Sequence, residues 1–336
     1  MQPLRLPHRI APGMCPVNGI RDLVQWRTGR DWSNEFVHGL GQGGGFAYLR
    51  INVANPPRQV YWGTASPRQH AYLAGLFKAD FIAVEDRSFK YSWNKARAAL
   101  DEHTPPILGP LDMYHLPFYP AIYHQRHIPI HFLLLVGYDD QNAYVLDTGQ
   151  QEIQDIPLAE LELAWDVNVP GMGKRNRLTI LNIPEELDPT DKLIKQAIAD
   201  QCQLMLEPPL SMLGIPAMQK LGREIHAWPE ELGQEASQRC LQQVREYLNS
   251  PPDNLGNHLT AGRDLYITFL VEAGGAAELD FSQPIAHFQW VLSIIPKIAQ
   301  AIHANDLMAA AAGFIWVAEE EKLAYRWLRE LITEPA

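Results

Sequence analysis

His131-Phe132-Leu133-Leu134-Leu135-Val136-Gly137-Tyr138-Asp139-Asp140-Gln141-Asn142-Ala143-Tyr144-Val145-Leu146-Asp147 reads as an apolar strand, a polar turn and a second apolar strand. β-Branched and aromatic residues interrupted by Asp-Asp-Gln-Asn signal a hairpin. A loop over 137–141 sets Val136 opposite Asn142, Leu134 opposite Tyr144, and His131 directly opposite Asp147. Opposed residues have Cβ atoms about 4.5–5.5 Å apart, so the carboxylate can orient the imidazole. Such a pair is either a structural hydrogen bond or a base with its orienting acid, awaiting a nucleophile from elsewhere in the chain. A loop with an even number of residues would send the two side chains to opposite faces.

The best nucleophile lies far upstream, at Cys15. Residues 1–14 are irregular and carry Pro3, Pro7, Pro12 and Gly13. After Pro16 the apolar residues Val17, Ile20, Leu23 and Val24 recur at helical spacing, and Gly29 closes the run. Proline suits a first helical turn, where its missing N–H costs nothing. Cys15 therefore stands at a helix N-terminus, where unsatisfied N–H groups and the helix dipole favour an anionic sulfur. The bland alternative is a small buried apolar residue.

Gly41-Gln42-Gly43-Gly44-Gly45 lacks the Lys-Ser/Thr of a phosphate loop, and the stretch after it alternates like a strand. It is expected to be a tight turn where backbone approaches substrate, with Gln42 and Gly43 as substrate-binding candidates and Gln42 as an oxyanion donor. Helix, strand and helix follow over 69–77, 81–84 and 92–100, then a strand within 105–111. The aromatic loop after it supplies Tyr114, Phe118 and Tyr119 and, with Tyr123, a candidate substrate-pocket wall. His124, His127 and His131 crowd together, but the spacing is no closed ligand set and lacks the Glu of a metallohydrolase helix, so no metal is expected. A short helix ends near Trp165, and 177–184 reads as a closing strand.

From Pro189 helical periodicity takes over, with helices near 214–224, 230–248, 260–273, 282–304 and 306–320 and a break over 249–257. The expected domains are 1–187, mixed α and β, and 188–336, all-helical. Cys202 and Cys240 fall mid-helix as packing residues.

Composition bounds the function. The 336 residues carry a net charge of −11, with 46% hydrophobic and 20% charged residues, which is an ordinary globular profile. The acidic balance, pI ≈ 5.5, argues against a nucleic-acid partner. Three cysteines without a CxxC fit a reducing compartment. With no secretory signal and no apolar run of the roughly 18 residues a membrane span needs, the expectation is a cytoplasmic protein.

A Cys at a helix start with His and Asp on a later strand pair is similar to the papain-like layout. Met14-Cys15-Pro16-Val17-Asn18-Gly19-Ile20, Gly39-Leu40-Gly41-Gln42-Gly43-Gly44-Gly45-Phe46-Ala47-Tyr48, Asp112-Met113-Tyr114-His115-Leu116-Pro117 and the strand from His131 follow in order. The set resembles the N-terminal domain of the butirosin biosynthesis protein H family. Arg263-Asp264-Leu265-Tyr266-Ile267-Thr268-Phe269-Leu270-Val271-Glu272-Ala273 is similar to the helical domain that commonly follows it. Met14 departs from the His that the family often places before its Cys, and no Gln stands a few residues upstream. Only the Cys15 N–H is therefore assigned to an oxyanion hole.

The resemblance implies an α+β chain: a papain-like cysteine peptidase/acyltransferase fold with a C-terminal all-α domain. It also implies a thiol acyltransferase with Cys15 as nucleophile, His131 as base and Asp147 as orienting acid. The implied donor is an acyl carrier protein or acyl-CoA, with the acyl group on a phosphopantetheine or CoA thioester. The acceptor is an amine, in natural-product biosynthesis, and donor and amine in one molecule would close a lactam. No cofactor is required. The rivals are a papain-like amidase or peptidase and an inactive binding or scaffold protein. A carrier partner is acidic, so Arg21, Arg27 and Arg30, or Lys174, Arg175 and Arg177, are candidates for a basic docking patch. The helical domain is expected either to cover the acyl channel or to form a homodimer interface.

Overall fold

The structure, a computed structural model, describes residues 1–249 and 262–333. In chain order it contains α1 (Cys15–Thr28), α2 (Asn34–Leu40), β1 (Phe46–Arg50), β2 (Arg58–Trp62), α3 (Ser66–Phe77), β3 (Asp80–Val84) and α4 (Phe89–Asp101). Then come β4 (Ile107–Leu111), β5 (His131–Tyr138), β6 (Asn142–Leu146), β7 (Gln154–Pro157), α5 (Leu158–Trp165) and β8 (Leu178–Asn182). The rest is helical: α6 (Thr190–Leu206), α7 (Gly214–Glu224), α8 (Trp228–Leu232), α9 (Gln234–Asn249), α10 (Arg263–Ala277), α11 (Ser282–His303) and α12 (Leu307–Thr333). The fold class is α+β, with antiparallel sheets. Beyond Asn249, the break expected over 249–257 lies outside the described residues. Among the described residues no helix is long and apolar enough to cross a membrane.

Two compact units are present. One holds Met1–Val37 and Ala65–Asp188; the other holds His38–Thr64 and, among the described residues, 189–249 and 262–333. Where the sequence suggests a break after 187, the units divide after Asp188, and 38–64 belongs with the helices.

The first unit is built on a six-stranded antiparallel sheet of order β3-β8-β4-β5-β6-β7. β4 is buried throughout and β5 almost so, which is why both read as continuous apolar runs rather than alternating ones. Trp93, Leu100, Leu133, Leu135 and Trp165 form part of the core cluster. α1 ends as its sequence predicts, with Gly29 left-handed at φ 71 and its N–H donating to the Gln25 carbonyl. Gly19 lets this helix lie close to the sheet: a methyl group there would come 3.3 Å from Leu134 Cβ on β5.

The hairpin register differs from expectation. Tyr138 pairs with Ala143 and Gly137 with Tyr144, so an even set, residues 139–142, separates the last ladder pair. Asp139 sets this turn by accepting the N–H groups of Gln141 and Asn142, both at 2.7 Å. By that register alone His131 and Asp147 would point to opposite faces. The ladder then slips by one between Leu135 and Gly137, so that Leu134 faces Leu146 and the original parity returns. His131 and Asp147 share a face as diagonal neighbours, not as a directly opposed pair.

The second unit is not purely helical. β1 and β2 form an antiparallel ribbon, Phe46 opposite Trp62, that sequence reading recognised only in its first strand. Tyr48 Oη donates to Glu224 at 2.8 Å, and the Gln243 amide brackets Val60, accepting from its N–H at 2.9 Å and donating to its carbonyl at 2.6 Å. The glycine run approaches the chain itself. A Cβ on Gly39 would overlap the Phe269 ring at 1.9 Å, one on Gly43 the His38 ring at 2.2 Å, and one on Gly44 the Tyr325 hydroxyl at 2.5 Å. Arg263 and Glu321 form a fully buried pair at 2.7 Å, and Arg263 also reaches the Gly45 carbonyl at 3.3 Å. The helix expected over 230–248 is two, α8 and α9, parted at Gly233 with φ 79. The helix expected over 306–320 continues without a break to Thr333 as α12.

Candidate active site

α1 begins at Cys15, after Met14, which contributes no side-chain cap, and its first turn carries no acidic residue. The sulfur thus sits at the positive end of a helix whose leading N–H groups lack a capping side chain. His131 opens β5, pairs in the ladder with Leu111 of β4, and is 6% exposed. Asp147 directly follows β6 and is 1% exposed. Cys15, His131 and Tyr119 line one cleft together with Pro12, Gly13 and Met113. Thr148 and Gly149, next to Asp147, complete it.

His131 Nε2 is hydrogen-bonded to Asp147 Oδ2. Cys15 is a second hydrogen-bond partner of the same ring, for which Nδ1 is the nitrogen left. Burial alone would lower the imidazole pKa. The Asp147 carboxylate, then the Cys15 sulfur, outweigh that and raise it to about 10. Asp147 is driven the other way: burial opposes its charge, yet His131 and the hydrogen bonds from Tyr119 and Gly149 hold its pKa below the ordinary value. Its Oδ1 accepts Tyr119 Oη at 2.5 Å and the Gly149 N–H at 2.7 Å. Tyr119 also stands edge-on to the His131 ring, 5.7 Å between centroids. The three side chains suit nucleophilic chemistry: a sulfur, a base beside it, and an acid that fixes the base.

A residue that sequence reading missed, His8, holds this arrangement from behind. Its Nδ1 lies 2.5 Å from Asp22 Oδ2 on α1, and its Nε2 lies 3.0 Å from the carbonyl oxygens of Asp147 and Gln150. It therefore links the helix that carries Cys15 to the turn that carries Asp147. Asp22 is neutralised on its other oxygen by buried Arg21 at 2.9 Å. Five of the residues lining the cleft were also given no place in the site by sequence reading (Pro12, Gly13, Met113, Thr148 and Gly149), although four of them lie within three positions of Cys15 or Asp147 in the sequence.

The other candidates fall elsewhere. Of the four aromatic wall residues only Tyr119 lines the cleft. Tyr114 stacks on His127 at 4.1 Å, Tyr123 on His124 at 3.9 Å, and Phe118 packs against the core. Gln42 and Gly43 belong to the second unit, while every residue lining the cleft belongs to the first. The crowded histidines do not form one cluster, because His127 bonds Asp112 at 2.6 Å and His131 bonds Asp147. Neither cation set forms a bare basic patch. Arg21 is buried against Asp22 and Asp31, Arg27 donates to the Ile183 carbonyl, and Arg30 donates to the Leu187 and Asp188 carbonyls. Lys174 and Arg175 face Asp86, and Arg177 pairs with Glu85 at 2.7 Å. Cys202 is a packing residue: it donates to the Tyr325 carbonyl at 3.3 Å, and burial pushes its thiol up to about 12.

Fold and cleft together define an α+β protein with a helix-borne cysteine facing a sheet-borne His–Asp pair. Residues 14–148 match the family model described as butirosin biosynthesis protein H, N-terminal, and residues 159–251 match one described as a domain of unknown function (DUF4872). The two matches in this order have the architecture of the butirosin biosynthesis protein H family. The first match begins one residue before Cys15 and ends one after Asp147; the second stops short of the 263–273 segment. No curated protein matches the chain.

Proposed function

We propose that this protein is a biosynthetic enzyme of the thiol acyltransferase type, moving an acyl group from a carrier-protein or CoA thioester to an amine. The observation that carries the reading is that Cys15, at a helix N-terminus, shares one cleft with His131, whose imidazole is hydrogen-bonded to buried Asp147. The family description, a biosynthesis protein, supports it, and a Cys–His–Asp order on helix and sheet is similar to the papain-like layout.

The Cys15 thiolate, paired with the His131 imidazolium, attacks the thioester carbonyl. The carbon–sulfur bond to the donor breaks, and the phosphopantetheine or CoA thiol leaves with the proton from His131. The acyl-cysteine is then attacked by the amine, His131 takes the amine proton, and the amide departs as Cys15 returns to thiolate. Exchange between thiols is nearly isoenergetic and amide formation runs downhill, so no ATP is consumed. Asp147 stabilises the imidazolium and holds its orientation. A donor and amine in one molecule would close a lactam by the same steps.

Incubation with a panel of acyl thioesters, read by intact-protein mass, tests this directly. A covalent acyl adduct that maps to Cys15 and is discharged by an amine is the expected result; no adduct with any thioester would refute it. The second reading, a papain-like amidase or peptidase, is favoured by one observation. Tyr119 alone of the expected aromatic wall lines the cleft, so water has less to exclude it. Discharge of the adduct at the same rate with and without amines would select the hydrolase.

A further inference from the structure

Outside the cleft, three donor groups converge. Nδ1 of His115, in the 3₁₀ turn Met113–His115, lies 2.9 Å from Oε2 of Glu160 in the first turn of α5. Nε2 of His124 lies 3.5 Å from the same oxygen. All three donor atoms fall within 4.8 Å of one another. Metal bonds of about 2.0–2.2 Å at tetrahedral angles place ligand atoms roughly 3.3–3.5 Å apart, a value these separations straddle. Two imidazoles and a carboxylate form a donor set that suits zinc and other late first-row divalent ions; magnesium and calcium prefer all-oxygen sets.

The rings are held before any ion arrives. His124 stacks on Tyr123 at 3.9 Å and tilts over Tyr114 at 5.2 Å; His115 meets Tyr114 edge-on at 4.9 Å. His124 also adopts φ 55, a left-handed backbone uncommon for a residue with a Cβ and frequent where a side chain has a job. The site opens to solvent, since the His124 side chain is 48% exposed, against 17% for His115 and 21% for Glu160.

We propose that His115, His124 and Glu160 bind a divalent transition-metal ion, zinc by the character of the donors, with water in the fourth position. The two histidines bracket the turn that carries Tyr119, whose hydroxyl supports Asp147. The ion would tie both ends of that turn to α5. This site stands independently of acyl transfer.

The test uses the Cys15→Ala protein, which removes a competing thiolate. Zn²⁺ is titrated against a chromophoric chelator, and Co²⁺ is followed by its visible absorbance. One equivalent is expected, with Co²⁺ bands of four-coordinate intensity and a thermal midpoint raised by Zn²⁺. His124→Ala and Glu160→Gln should each weaken binding at least tenfold while keeping the metal-free thermal midpoint. His127→Ala, whose ring bonds Asp112, should leave affinity unchanged. Absence of saturable binding at micromolar Zn²⁺, or affinity equal to the Cys15→Ala parent in both His124→Ala and Glu160→Gln, would overturn the proposal.

Discussion

The carbonyl oxygen of Asp147 lies 3.0 Å from Nε2 of His8, so the residue whose carboxylate holds one histidine is itself held by another. Every group facing the His8 ring is an acceptor: the Asp22 carboxylate on Nδ1, and the Asp147 and Gln150 carbonyls on Nε2. Both nitrogens must therefore carry hydrogen, and His8 is an imidazolium. Burial alone would lower its pKa, but Asp22 and the two carbonyls raise it above the ordinary value. A raised folded-state pKa gives stability that is complete below about pH 6.5 and lost as pH climbs through the folded value. His8→Gln should cost about 2 kcal/mol near neutrality. Denaturant midpoints of both proteins should converge on the alkaline side; a pH-independent gap would contradict the charged state.

Tyr119 and Asp147 should separate in kinetics. Tyr119→Phe removes one of the hydrogen bonds on Asp147 Oδ1 and leaves the Gly149 N–H in place. Acylation of Cys15 should slow about tenfold, the equivalent of ~1.4 kcal/mol. Asp147→Ala should slow it on the order of a thousandfold or more. It should also move the alkaline limb of the pH–rate profile below the value of about 10 at which Asp147 and Cys15 hold His131. Equal losses in the two variants would contradict the division of roles.

Gly19 sets the distance between α1 and β5. In Gly19→Ala a tight 3.3 Å contact with Leu134 Cβ offsets a helix-propensity gain of about 1 kcal/mol, so stability should hardly change. Gly19→Leu overpacks that contact at a cost of about 1–3 kcal/mol. The larger variant should also slow alkylation of Cys15 by iodoacetamide, because the sulfur is carried away from His131. Unchanged alkylation in a folded Gly19→Leu protein would show that the spacing is set elsewhere.

In the second unit, Arg263 and Glu321 have no exposed side-chain surface. Glu321→Gln leaves a buried guanidinium without its counter-charge and should destabilise by about 3–5 kcal/mol. The double change Arg263→Met with Glu321→Leu should cost much less than two single changes added together. Additive losses in denaturant unfolding would mean the pair contributes little as a pair.

What could be read in advance follows from how local each signal is. Pro16, the apolar spacing from Val17 to Val24 and Gly29 mark both ends of α1, and Cys15 sits at its start whatever the rest of the chain does. His131 and Asp147 share one hairpin, so their meeting is nearly local too; the error was in the turn, where Asp139 selects the loop length. His8 could not be read at all. It lies 139 residues from Asp147, in a segment without periodicity, and only tertiary structure gives it partners. The arginines misled for a related reason: a sequence displays their charge but hides the carboxylates and carbonyls that consume it. Tyr114 and Tyr123 looked like a pocket wall because aromatic composition carries no direction; their rings face histidines.

The ladder slip beside Val136 makes spatial phase more fragile here than chemistry. Almost any apolar substitution at 136 leaves the imidazole and the carboxylate on a common side. Deleting one residue between His131 and Leu135, with the slip left in place, would rotate the start of β5 by half a pleat and send His131 away from Asp147, with every reactive group still present in the chain. Homologues that gain or lose a single position between His131 and Leu135 should therefore have lost the pairing, unless a second length change nearby restores it.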